Sequence, residues 1–217
     1  MEYTFTQQLV NICEIIGIIA FAISGAMVAI EKDLDIFGVV VLGVTTALGG
    51  GVIRDLILAI NPPTMFISSN YAALAAISSL IIFFISYYKY KYIQKNRKIF
   101  DNALNFFDSI GLGVFVVLGI NTAMYSGYSD NNFLIMFIGV ITGIGGGILR
   151  DIMVKDIPFV LRKRIYALAA ILGGGVYIVL LKNGINSNFS LVIGIFIIIL
   201  IRVLSKKYEW SLPRVKK

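Results

Sequence analysis

The chain has no histidine, a single cysteine, a single tryptophan and four prolines among 217 residues. Without histidine it lacks the commonest metal ligand and the side chain that titrates near neutral pH. Cys13 alone closes no intrachain disulfide, and its place in an apolar run reads as packing. Charge is also scarce. Asp, Glu, Lys and Arg make up 14% of residues and apolar types 58%, whereas a soluble domain carries about 25% charged residues. No nucleophile–histidine pair, metal-ligand cluster or phosphate loop after a strand is present, so no enzyme constellation and no cofactor site is expected. Residues 1–7 hold no Lys or Arg, so the first apolar run is read as a retained span and not as a cleaved leader.

The chain is rich in long apolar stretches, and its mean hydropathy is +0.88. A bilayer core is crossed by about 20 apolar residues. That ruler predicts seven spans: Gln8–Ile30, Ile36–Ile60, Tyr71–Ile93, Asn102–Tyr125, Phe133–Ile157, Leu161–Leu181 and Phe189–Leu204. Assigning the connecting segments alternately to two sides leaves Lys182 alone on one side. The other side receives Lys32, Lys89, Lys91, Lys95, Arg97, Lys98, Lys155, Arg162, Lys163, Arg164, Arg202, Lys206, Lys207, Arg214, Lys216 and Lys217. This asymmetry places the N-terminus outside and the C-terminus in the cytoplasm. It also explains the net charge of +7 through anionic lipid headgroups, with no nucleic-acid partner.

The chain repeats itself. Gly49-Gly50-Gly51-Val52-Ile53-Arg54-Asp55 recurs 96 residues later as Gly145-Gly146-Gly147-Ile148-Leu149-Arg150-Asp151. Gly17, Phe21 and Gly25 match Gly111, Phe115 and Gly119 at a spacing of 94, as Glu14 matches Asp108. Pro63 and Tyr71-Ala72 match Pro158 and Tyr166-Ala167 at 95. The expected fold is therefore an all-α membrane domain filling residues 1–217. Repeat 1 covers about residues 8–93 and repeat 2 about 102–181, and a seventh helix over about 189–204 is peripheral and lipid-facing. Two three-span repeats insert in opposite senses, which places a substrate or ion path at their interface.

Each glycine weakens a helix by about 1 kcal/mol relative to alanine, and a charge at mid-bilayer costs about 2.5–3.5 kcal/mol on insertion scales. Gly49–Gly51 and Gly145–Gly147 fit either a kinked, pathway-lining stretch or close helix contact. Arg54 and Arg150 lie roughly 15 Å apart along the membrane normal. Adjacent Arg and Asp do not face each other on a helix. Two layers follow: Glu14 with Arg54 and Asp55 in the outer half, and Asp108 with Arg150 and Asp151 in the inner half. Each has net charge −1 and favours cations. The alternative is a pair of structural ion clusters that conduct nothing. Ser24, Thr45, Thr46 and Thr142 either line the path or bond back to their own helices.

The doubled Gly-Gly-Gly-x-x-Arg-Asp motif, Ser24-Gly25, Asp35-x-Phe37-Gly38 and Pro63 resemble the prokaryotic branch of the trimeric intracellular cation (TRIC) channel family. The resemblance implies a homotrimer in the prokaryotic inner membrane. Each protomer would hold one pore for potassium and other monovalent cations, lined by kinked second and fifth helices. The transported potassium or sodium would be the only bound species. No Lys-Glu-Val tripeptide occurs, and no basic residue lies between Phe106 and Tyr125. The phosphoinositide and voltage-sensing roles of animal members therefore do not transfer. Related bacterial sequences are also described as small-metabolite transporters, so a secondary carrier of a solute such as glycine is the alternative.

Overall fold

The computed structural model describes residues 2–89, 93, 95–162 and 165–210, the side chains of 2–5 and 162 excepted. Lys91, Lys163, Arg164, Arg214, Lys216 and Lys217, which entered the charge count, lie outside these residues. Nine α-helices occur among the described residues: α1 (Glu2–Glu31), α2 (Ile36–Ile57), α3 (Thr64–Ile67), α4 (Ser69–Tyr88), α5 (Arg97–Ala123), α6 (Asn132–Met153), α7 (Phe159–Arg162), α8 (Ala167–Lys182) and α9 (Ser187–Lys207). A π-turn, Met124–Tyr128, extends α5. By length and composition α1, α2, α4, α5, α6 and α9 are each able to cross a membrane. With 16 residues, α8 is shorter.

Local chemistry sets the helix limits. Asp35 caps α2 by accepting a hydrogen bond from Gly38 N at 2.8 Å, and Asn131 caps α6 through Leu134 N at 3.0 Å. Such caps satisfy amides that have no partner within the helix. At the other ends, Ala59 (φ 56°) and Lys155 (φ 58°) adopt the left-handed conformation. Each is followed by a six-to-one bond, Ile60 N to Asp55 O and Asp156 N to Asp151 O, both 2.8 Å, as in a Schellman termination. These turns stop α2 at Ile57 and α6 at Met153, short of the predicted Ile60 and Ile157. The sixth predicted span is corrected in the same way. Leu161 belongs to the short α7, and the long helix begins at Ala167.

The helices α1, α2, α5 and α6 form the centre; α4 packs on α1 and α2, and α8 packs on α5 and α6. Contacts across the centre recur when residue numbers are advanced by 94 to 96. Phe21 and Phe115 stack on each other with centroids 5.4 Å apart. Phe21 lies over Gly111, and Phe115 with Val114 lies over Gly17. The last long helix, α9, lies at the periphery, as expected, but presents one face to the bundle. Val192, Phe196 and Leu200 are exposed, but Ser190, Gly194, Ile198 and Arg202, spaced by four, are buried. That face packs on α5 and α8.

Candidate functional site

The two glycine triplets sit where α2 meets α6. A Cβ on Gly50 would lie 2.1 Å from the Thr142 carbonyl oxygen, and one on Gly146 would lie 2.0 Å from the Thr46 carbonyl oxygen. Gly49 is covered by Leu149, and Gly145 by Ile53 and Gly50. Adding 96 to one contact generates the other, so the two helices touch backbone to backbone about a pseudo-two-fold axis. No unwound residue interrupts either triplet. Both triplets lie inside uninterrupted α-helix. Close approach, in which small residues let backbones meet, is what the glycines provide.

Two of the four hydroxyl candidates bond back to their own helices. Thr46 bonds back to Leu42 O at 2.6 Å and Thr142 to Ile138 O at 2.5 Å; Thr45 is partly buried. Such back-bonding satisfies the hydroxyl without a second helix. Ser24 instead joins a charge cluster.

The same hydrogen-bonded unit follows each triplet. Arg54 Nε donates to Asp55 Oδ1 at 2.7 Å, and Arg150 Nε donates to Asp151 Oδ1 at 2.8 Å. The expectation that adjacent Arg and Asp stay apart is therefore corrected. The long arginine stem curls back far enough for Nε to reach the neighbouring carboxylate at the last helical turn. The second carboxylate oxygen caps the next short helix: Asp55 Oδ2 accepts from Thr64 N at 2.8 Å, and Asp151 Oδ2 from Phe159 N at 2.7 Å. Each Arg–Asp pair thus ties a long helix to the loop beyond it.

Around this common unit the two sites differ. At Arg54, Thr64 Oγ1 accepts from Nη2 at 3.0 Å and donates to Asp55 Oδ2 at 2.6 Å. A cavity of about 820 Å³ opens beside it, lined by Glu14, Arg54, Thr64, Tyr71, Asn121 and Thr122 among others. Glu14 makes its hydrogen bond with the Tyr71 hydroxyl at 2.8 Å. It shares the cavity with Arg54 but does not pair with it, which corrects the expected Glu14–Arg54 pairing. Counting Glu14, Arg54 and Asp55 as ionised, this site carries one net negative charge.

At Arg150 the surroundings close. The side chain is wholly buried. Its Nη1 donates to Asp108 Oδ1 at 2.8 Å and to Ser24 Oγ at 2.7 Å. Its guanidinium lies 4.5 Å from the Phe159 ring centroid. A second guanidinium enters from α9. Arg202, 2% exposed, donates to Asn105 Oδ1 at 2.9 Å and stands 3.7 Å from Asp108 Oδ2. It also covers the Tyr166 ring at 4.5 Å. Two cations now face Asp108 and Asp151, so the expected net charge of −1 is corrected to zero. Arg150 Nη2 and Arg202 Nε are buried and make no hydrogen bond among the described residues. Such a donor costs about 1–3 kcal/mol.

Sequence reasoning missed Thr64, Tyr71, Asn105, Phe159, Tyr166 and Arg202. Tyr71 and Tyr166 carried a signal, being matched in the repeat beside the matched prolines. Arg202 carried one too, eight residues after Gly194 on one helical face and within the reach of an i, i+4 pattern.

Comparison with known proteins gives a consistent grouping. A family model described as glycine transporter matches residues 11–87 and again 105–182. The UPF0126 membrane protein YvgT of Bacillus subtilis is 35% identical over 94% of this chain and 95% of its own length. The UPF0126 inner membrane protein YadS of Escherichia coli K12 is 34% identical over 95% and 96%. Among solved structures, a prokaryotic TRIC channel crystallised in 0.5 M KCl is 38% identical, with TM-score 0.84 over 95% of this chain and all of the other. The TRIC orthologue from Rhodobacter sphaeroides is 30% identical, with TM-score 0.83 over 93% and 98%.

Proposed function

Because the chain belongs to the UPF0126 family of prokaryotic TRIC-like membrane proteins, we propose that it is a potassium-permeable monovalent-cation channel with its path inside each protomer. The observation that carries this reading is the Arg54 cavity. It reaches the charge cluster at one end of the α2–α6 contact, where Glu14 and Arg54 line it and Asp55 is buried behind Arg54. A carboxylate at a water-filled, low-dielectric wall raises the local cation concentration. In this reading Glu14 attracts the ion, and Arg54 holds Asp55 and the α3 loop in place. The contact of α2 with α6 forms the waist of the path, and Asp108, Arg150 and Asp151 guard its far end.

The topology proposed with it has seven spans, α8 being the short one, and two oppositely inserted repeats. The N-terminus and the Arg54 cavity lie outside, and the C-terminus lies in the cytoplasm of a bacterial cell. The basic segments around Lys32, Arg97 and Lys206 then face the anionic leaflet. Three copies assemble, as the trimeric names of the structural neighbours suggest for those proteins.

Purified protein in a planar bilayer tests the proposal. Discrete current steps that reverse near the potassium equilibrium potential in a KCl gradient are expected. A second reading, a carrier of a small zwitterion, draws on the description of the matching family. It also draws on the presence of Glu14 and Arg54 in one cavity, opposite charges that suit an ammonium and a carboxylate. Saturable glycine uptake into proteoliposomes without current steps would favour it and overturn the channel.

A further inference from the structure

The Arg150 cluster contains a charge that the internal repeat does not account for. Its other members have counterparts around Arg54: Asp151 matches Asp55, Asp108 matches Glu14 and Asn105 matches Asn11. Arg202 stands on α9, outside the repeat, and the Arg54 cavity has no cation in that place among the residues lining it. Arg202 is also the difference between a site with net charge −1 and a site with none.

We infer that α9 is a latch on the inner end of the path and that Arg202 is its bolt. The inference rests on the channel reading above. Arg202 holds Asn105 Oδ1 at 2.9 Å and approaches Asp108 Oδ2 at 3.7 Å. One turn further on, Lys206 Nζ donates to the Asp101 carbonyl oxygen at 2.5 Å. These two cations fasten one face of α9 to the cytoplasmic end of α5. Beyond them the helix is held by apolar contact with small residues: Ile198 against Gly173, and Tyr177 and Val117 against Gly194. These contacts hold the first part of α9, so release of the polar fastening frees its last turns, from Arg202 to Lys207.

Closing and opening follow from the charges. With Arg202 in place, two guanidiniums face any cation approaching Asp108, and Asp108 itself is fully buried. With Arg202 withdrawn, the site keeps Arg150, Asp108 and Asp151, and its net charge becomes −1, equal to that of the Arg54 site. Arg202 Nε and Arg150 Nη2, which make no hydrogen bond among the described residues, gain water in that arrangement.

The test uses the full chain in lipid bilayers, as wild type, Arg202→Gln and Asn105→Ala. Arg202→Gln keeps the Arg150–Asp108 and Arg150–Asp151 pairs and removes only the bolt. Its open probability is expected to rise about tenfold with cation selectivity retained, and Asn105→Ala is expected to move the same way by less. A second readout needs no current. In a Cys13→Ala background, Ser24→Cys is labelled by the cationic reagent 2-aminoethyl methanethiosulfonate. Adding Arg202→Gln is expected to speed labelling about tenfold. Should Arg202→Gln fail to fold, Asn105→Ala carries both readouts. Wild-type steps with unchanged open probability in the variants overturn the latch, as does unchanged labelling. Absence of steps in the wild type overturns the channel reading instead, and the labelling rate then decides the latch by itself.

Discussion

Arg54 and Arg150 occupy equivalent places in the two repeats and make the same first contact, yet one borders a cavity and the other is sealed. Both bond the adjacent aspartate through Nε, and both aspartates cap the following loop. The difference lies in the third and fourth partners. Arg54 has the small hydroxyl of Thr64 beside it, while the matching position against Arg150 is the Phe159 ring. Leu118 lines the Arg54 cavity where its counterpart Ser24 bonds Arg150. Glu14 is turned to Tyr71, while Asp108 is drawn to Arg150 and faced by Arg202. Identical motifs thus specify a backbone device, and their neighbours decide whether it borders a cavity or is enclosed. The low-dielectric site depends far more on complete pairing.

The sharpest way to break this comparison is to remove each arginine in turn. Arg150→Ala leaves Asp108 and Asp151 buried without their principal cation. A loss of about 3–5 kcal/mol is expected, seen as loss of the monodisperse peak in detergent size-exclusion chromatography. Next in size are Gly50→Ala and Gly146→Ala, each driving a methyl into a carbonyl of the opposite helix. Each should destabilise by about 1–3 kcal/mol. Near-equal shifts in melting temperature would support the two-fold contact, and a strong inequality would count against it. Arg54→Gln removes the cation from the buried Asp55, which keeps its two hydrogen bonds from Thr64; it should cost about 1–3 kcal/mol and change unitary conductance. Unchanged conductance with an intact fold would remove Arg54 from the path. Smallest is Tyr71→Phe, which frees Glu14 of one hydrogen bond at about 0.5–1.5 kcal/mol or less. Its expected signature is a modest change in cation conductance with little change in melting.

Much of the fold was legible from apolar length and self-similarity. The first five spans were placed within a few residues on most ends, because a bilayer demands long apolar helices and punishes charge within them. Their ends were less legible, since Ala59 and Lys155 are not residues that announce a left-handed stop. The charged residues Arg54, Asp55, Arg150, Asp151, Glu14 and Asp108 stood out because charge in apolar sequence is rare. Their pairing did not. Spacing along one helix says nothing of how far an arginine stem bends back, nor which tyrosine on another helix claims Glu14. The glycine triplets were equally visible and fitted two uses. Only the 2.1 and 2.0 Å approaches to the Thr142 and Thr46 carbonyls decided for close packing.

From residue order alone come the helical membrane class, the internal repeat, the sites of intramembrane charge and the family resemblance, all of which depend on local composition or on self-comparison. Which charges meet, how many surround each arginine and whether water reaches them came only from the packed structure. Arg202 shows why. Its effect on Asp108 acts across helices 94 residues apart in the chain, and electrostatic strength depends on distance and burial in space, neither of which is written in sequence separation.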